Sequence, residues 1–168
     1  MNSISASPES FGPADFTRLV DWVSAAGAAE LLPQWAGPIF TWPLDAAQFE
    51  RYLEPARAVP PTRLVWRADD EAGAPFGLVD PARRGEGRSR AMVAAALAVA
   101  FGDLGLHRVE LRVFDFNTPA LRCYESLGFA REGVMRDARR IDKTYWNIVC
   151  CSLLEDEWRQ RQTIEEGT

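Results

Sequence analysis

The amino-acid sequence predicts an α/β fold, with a mixed central β-sheet and helices on both faces. Three observations carry this. Apolar runs at helical and at strand spacing alternate along the chain, in the order helix, helix, strands, helix, strand, helix, two strands. An apolar stretch at Leu78-Val79 runs through a Gly- and Arg-rich turn into a helical run that ends near Leu104. The chain has 168 residues, 47% hydrophobic and 26% charged, which is one domain's length with enough apolar side chains for a core.

Each element has a local reason. Residues 1–8 are small and polar, which suits a loose tail. From Pro13 to about Leu32 the pattern is helical, with Phe16, Leu19, Val20 and Val23 on one stripe and Gly27 as an interruption. Pro33, Gly37, Pro38 and Pro43 then forbid regular helix up to Leu44. Asp45 is placed to cap a second helix through Leu53. Thr62–Arg67 reads as a strand, 68–73 as a turn and Ala74–Asp80 as a short apolar strand.

Ser89–Leu104 is the third helix, with Met92, Val93, Ala96, Leu97, Ala100, Phe101 and Leu104 on its buried side and Gly105 closing it. In the strand His107–Val113, Val109, Leu111 and Val113 alternate with Arg108, Glu110 and Arg112. Thr118–Leu127 is a short helix with Pro119 at its start and Gly128 past its end. Phe129–Arg140 and Thr144–Leu153 form a hairpin, and Leu154–Thr168 reads as a charged, frayed tail.

Composition narrows the function classes. The net charge of −5 argues against a general nucleic-acid surface and suits cationic partners such as amines. Three cysteines, Cys123, Cys150 and Cys151, are too few and too badly spaced for a disulfide framework. With the single His107 they show no zinc-ligand spacing, so no metal is expected. Reduced thiols, the lack of a signal-peptide pattern and the short apolar runs give the expectation of a cytoplasmic protein with no membrane span.

Chemistry concentrates in two blocks. The first is the turn Pro81-Ala82-Arg83-Arg84-Gly85-Glu86-Gly87-Arg88-Ser89. A strand, a Gly-rich turn and a helix N-terminus aim backbone N–H groups and the positive end of the helix dipole at one spot, a natural seat for a phosphate. The same residues also read as an ordinary solvated turn. The second block is Asn117-Thr118-Pro119-Ala120-Leu121-Arg122-Cys123-Tyr124-Glu125-Ser126-Leu127-Gly128-Phe129. On pattern alone Asn117 is a helix cap, and Tyr124 shares an apolar helix face with Ala120, Cys123 and Leu127.

Together the blocks resemble the GNAT superfamily of acetyl-CoA-dependent N-acetyltransferases. Arg84, Gly87 and Ser89 match its Arg/Gln-x-x-Gly-x-Gly/Ala loop. Asn117, Ala120, Tyr124, Gly128 and Phe129 match its Asn-x-x-Ala-x-x-x-Tyr-x-x-x-Gly-Phe segment. The resemblance runs from about Leu78 to Trp158. Trp35-Ala36-Gly37, Phe40-x-x-Pro43 and the closing Leu-x-x-Glu-Trp at Leu154–Trp158 look like the ribosomal-protein and polyamine acetyltransferase branch. The chain departs from the family in length. Only Ala74–Asp80 stands where a third strand, a turn and a fourth strand belong, so the expected GNAT fold is shortened there.

The resemblance implies roles. Backbone N–H groups of Arg84, Gly85, Glu86, Gly87, Arg88 and Ser89 would cradle the pyrophosphate of acetyl-CoA. The main chain of Leu78 and Val79 would template the pantothenate arm like an added strand. Asn117 would lie near that arm, and Tyr124 would be the general acid for the departing thiolate. Trp35, Phe40, Trp42 and Trp146 would wall the cleft for the acceptor, a small-molecule amine or a protein N-terminus. Packing the core is the competing reading for each of these aromatics. Glu110 and Asp115 are weak candidates for a base, which stays unassigned. A homodimer through the terminal strands comes by analogy. The competing reading of the whole is a catalytically degenerate GNAT fold that binds acyl-CoA or a protein partner without turnover.

Overall fold

In the first part of the chain, the side chains of Asp15 and Asp45 each accept from a backbone N–H where a helical segment starts. The Asp15 carboxylate accepts from the Gly12 N–H at 3.0 Å, ahead of a short 3-10 turn, Pro13–Asp15, and helix α1, Phe16–Ser24. Asp45 Oδ1 accepts from the Gln48 N–H at 2.8 Å and opens helix α2, Ala46–Arg57. In this computed structural model the described residues are 7–24, 40–59, 65–69, 75–76, 88–141 and 143–166. The chain divides into two compact units, Met1–Met92 and Val93–Thr168, described in turn.

The first unit holds a three-stranded antiparallel sheet in the order β1 (Ser7–Ser10), β2 (Trp66–Asp69), β3 (Pro75–Phe76). Two expectations shift here. Ser7 and Pro8 belong to a strand rather than a loose tail, because β1 pairs with β2 from Ser7↔Asp69 to Ser10↔Trp66. The strand expected over 62–67 extends to Asp69, into the expected turn. The unit's core is aromatic: Phe16, Phe40, Leu44, Phe49 and Leu53, with Phe11, Leu19, Val20, Tyr52 and Val65 packed on it. Phe49, with none of its surface exposed, stacks on Phe16 at a centroid distance of 4.9 Å.

Helix α3, Arg88–Ala98, spans the boundary at Met92, and the second unit takes up its part from Val93, which runs into a π turn at Val99–Asp103. Its sheet has the order β4 (Arg108–Phe114), β6 (Thr144–Leu154), β5 (Ala130–Ile141), all antiparallel. Between β4 and β5 lies α4, Thr118–Ser126, and the chain ends in α5, Glu155–Glu166. The alternation read in β4 is real. Val109, Leu111 and Val113 pair across the ladder with Leu153, Cys151 and Val149, and all six pack in one cluster with Leu97, Phe101, Leu121, Leu127 and Phe129.

Two expectations fail in this unit for identifiable reasons. Ala96 and Leu104 are exposed, not buried. The π turn, closed by the Leu104 N–H on the Val99 carbonyl at 2.9 Å, inserts one residue and rotates Leu104 by about 100° from its α-helical position. The tail expected to fray, including 160–166, is helical. Glu155, Asp156 and Glu157 sit at the positive end of its dipole, and Glu157 Oε2 accepts from the Leu154 N–H at 3.0 Å. Arg159 pairs with Glu155 at 2.7 Å, and the Trp158 ring packs on Phe101 at 5.4 Å.

Candidate functional site

Helix α4 presents the second sequence block. The chain leaves β4 through a tight turn in which the Asn117 N–H donates to the Phe114 carbonyl at 3.0 Å and the Thr118 N–H to the Phe116 carbonyl at 2.9 Å. Asn117 Oδ1 then accepts from the Ala120 N–H at 3.3 Å, so the expected cap is present. Its Nδ2 enters no hydrogen bond among the described residues, which leaves a donor for a ligand. At the other end Gly128 takes φ +100°, a left-handed conformation that stops the helix.

Tyr124 follows Asn117 by seven residues, about two helical turns, so the cap and the tyrosine share one helix face. Its ring is half-buried, packed on the second core and edge-on to Phe129 at 5.8 Å. Burial raises its pKa above the ordinary tyrosine value, and the neighbouring thiols of Cys123 and Cys151 add to the rise. The phenol therefore keeps its proton through the neutral range. Its hydroxyl takes no hydrogen bond among the described residues, although polar groups packed this way are normally paired. Leu121, absent from the face expected for this helix, is its most buried residue and anchors it to the core.

The remaining expected residues fall in different places. Arg88 and Ser89 open α3, Arg88 half-buried and Ser89 exposed. The expected phosphate-loop and strand residues Leu78, Val79, Arg84, Gly85, Glu86 and Gly87, and Trp35 of the expected cleft, lie outside the described residues. Phe40 is 7% exposed and packs at 5.1 Å on both Phe49 and Tyr52, as core. Trp42, two residues on, is 49% exposed. The segment between them is held by Gln48. Its side chain accepts from the Thr41 N–H at 2.7 Å and donates to the Thr41 and Pro43 carbonyls at 3.1 and 2.8 Å. Gln48 was missed by the sequence reading. The signal was a buried-stripe position, four before Tyr52, occupied by an amide.

Trp146 on β6 is half-buried and meets Phe114 and Phe116 edge-on at 4.9 and 4.8 Å, while those two rings stack at 5.5 Å. The weak base candidates are both occupied. Glu110 is exposed between Arg108 and Arg112 at 3.7 and 3.6 Å, and Asp115 accepts from Asn147 Nδ2 at 2.8 Å. None of the three cysteines forms a disulfide among the described residues, and burial pushes the Cys151 thiol up. No three His, Cys, Asp or Glu side chains are grouped to hold a metal ion, and no helix is long and apolar enough to cross a membrane, among the described residues.

Comparison with known proteins bears on both blocks. Residues 76–129 match the family model described as the Acetyltransferase (GNAT) family, a span that contains the Gly-rich turn and the whole Asn117–Phe129 segment. The SPbeta prophage-derived N-acetyltransferase YokL of Bacillus subtilis (strain 168) is 31% identical over 75 residues, 45% of this chain and 42% of that protein. Spermidine N(1)-acetyltransferase of Vibrio cholerae serotype O1 is 29% identical over 84 residues, 50% of this chain and 49% of that one. The chain thus spans about half the length of the curated relatives it matches. In three dimensions the likeness is wider. The crystal structure of spermidine N-acetyltransferase from Vibrio cholerae in complex with CoA and spermine superposes with a TM-score of 0.75 at 17% identity, covering 92% of this chain and 98% of that one. The α/β architecture expected from the sequence is therefore the GNAT fold. Both sequence blocks thus fall inside the segment, residues 76–129, that matches the GNAT acetyltransferase family, and the fold over nearly the whole length is the GNAT fold.

Proposed function

We propose that this chain is an acetyl-CoA-dependent N-acetyltransferase whose acceptor is a primary amine, either a small molecule or a protein N-terminus. The observation that carries the reading is the half-buried Tyr124 hydroxyl, without a partner among the described residues and on the same helix face as the Asn117 cap. A packed ring with an unbonded hydroxyl is oriented for a ligand atom.

In the transfer, the neutral amine nitrogen bonds to the thioester carbonyl carbon. The C–S bond breaks with its electron pair left on sulfur, and the nitrogen sheds a proton. Tyr124 is the donor at the sulfur. Burial holds its pKa above the ordinary phenol value, which itself exceeds that of a free thiol, so complete transfer to the thiolate is uphill. Tyr124 therefore stabilises the developing charge through a hydrogen bond, and the proton shed by the amine completes the balance. Asn117 Nδ2 is free to donate to an amide carbonyl of the cofactor arm. Arg88 and Ser89, with the turn before them, would hold the pyrophosphate at the N-terminus of α3.

The acceptor class supported best is a small cationic amine. The likeness to a spermidine acetyltransferase and the net charge of −5 both favour it. The second reading, a chain that binds acyl-CoA or a protein partner without turnover, draws on the short stretch from Asp69 to Arg88 and on Glu110 and Asp115 both being engaged. Thiol release from acetyl-CoA, measured against spermidine, simple diamines and peptides with free N-termini, decides between them. Amine-dependent release supports the enzyme. Saturable acetyl-CoA binding with no release from any amine supports the second reading.

A further inference from the structure

Asn147 lies on β6 beside Ile148, the partner of Phe114, and faces the widest irregularity of the sheet. Met135 pairs with Ile148 and Arg139 with Trp146, so residues 136–138 of β5 stand opposite Asn147 alone. Within this bulge Asp137 takes a left-handed φ of 51° and donates its N–H to Asn147 Oδ1 at 2.9 Å. On the other flank Asn147 Nδ2 donates to Asp115 Oδ2 at 2.8 Å, and the Asp115 N–H donates to the Asn147 carbonyl at 3.2 Å. One side-chain amide thus joins β5 and β6 to the residue that follows β4, at the point where the chain turns toward α4.

We propose that Asn147 is a positioning residue for the transfer: it fixes the Asp115–Asn117 turn, and through that turn the start of the helix that carries Tyr124. The inference rests on the acetyltransferase reading above. The path is short. Asp115 is followed by Phe116, stacked on Phe114, and by Asn117, whose N–H is held by the Phe114 carbonyl and whose side chain caps α4. The chemistry required at position 147 is specific. It must accept from a backbone N–H on one side and donate to a carboxylate on the other, which a primary amide does in one rigid plane. A carboxylate of the same shape keeps the acceptor, loses the donor, and sets two like charges together. Exchanging the two functional groups restores the pair, since an amide at 115 can donate to a carboxylate at 147 that still accepts from Asp137.

That exchange is the test, made on the full chain with acetyl-CoA and spermidine, or the best amine the unsubstituted protein accepts. Asn147→Asp is expected to lower kcat about 10- to 100-fold, the scale of an ångström-level misplacement, and to raise the KM for acetyl-CoA as well, because the Asn117 donor moves with the turn. Asn147→Asp combined with Asp115→Asn is expected to return kcat to within about 3-fold of the unsubstituted protein, a recovery that a merely tolerated fold would not produce. Amide hydrogen exchange at Ala120 and Asp137 is read in the same set, and should rise in the single variant and fall again in the double. An unchanged kcat in Asn147→Asp, or a double variant that folds yet stays slow, overturns the proposal. If the unsubstituted protein turns over no amine, the acetyltransferase reading fails and with it the role in transfer. The exchange at Ala120 then decides the structural half: unchanged protection overturns the coupling, and loss with recovery upholds it.

Discussion

Tyr124 satisfies two demands with different atoms. Its ring fills a place on the second core, and its hydroxyl is left over at the surface of that core. Tyr124→Phe keeps the ring, so acetyl-CoA affinity and stability should hold within about 0.5 kcal/mol while turnover falls about 10²- to 10⁴-fold. Steady-state kinetics beside a binding isotherm check this, and unchanged turnover would remove Tyr124 from the chemistry. The two helix caps allow a second comparison. Asp45→Ala and Asn117→Ala each remove one side-chain bond to an N-terminal amide and should each cost about 0.5–2 kcal/mol in urea unfolding. Only Asn117→Ala is expected to weaken acetyl-CoA binding as well, because only that side chain carries a proposed ligand donor. Sequence reading found both caps because a cap is local: the donor lies three residues away. It could not find the partners of Asn147, 10 and 32 positions distant in sequence.

At the scale of elements, irregularities carry as much as the regular ladder. Glu132 is the extra residue of a bulge between Arg131↔Cys151 and Gly133↔Cys150. It reaches Arg108 of β4 in a two-pronged pair at 2.8 and 2.7 Å and accepts from Ser152 Oγ at 2.8 Å. Those bonds, the Arg108 guanidinium first and the Ser152 hydroxyl second, lower its pKa to about 2. The folded carboxyl thus titrates below the unfolded one, so its contribution to stability is complete above the ordinary carboxylate range. It is lost as pH falls toward about 2. Glu132→Gln should flatten the acid limb of the stability curve between about pH 5 and 2 while changing the neutral plateau less, as thermal melts across pH would show. Gly128, between α4 and β5, combines a positive φ with the Arg161 side chain lying where a Cβ would stand. Gly128→Ala should therefore destabilise by more than about 1 kcal/mol in denaturant melts.

For the whole molecule, stability is linked to the ligand it is proposed to hold. Acetyl-CoA near 100 times its Kd should add about 2.7 kcal/mol, raising the midpoint of unfolding by roughly 5–10 °C for a chain of this size. CoA should act similarly, and analogues stripped of the pyrophosphate should act weakly. No rise at millimolar acetyl-CoA would sink both the enzyme and the acyl-CoA-binding readings together. The sequence by itself determined the order of elements from α1 to β6, the capped helices, the alternation of β4 and the segment shared with the GNAT family, because each is written in residues close together along the chain. Tertiary structure decided the rest. It turned Leu104 outward through the π turn and drew the charged tail into a helix against Phe101. It also sent Phe40 to the core while leaving Trp42 exposed, and it closed the Asp137–Asn147–Asp115 bridge. These depend on which distant strand or helix faces a residue. Cross-strand register and packing set that choice, and no local pattern encodes it.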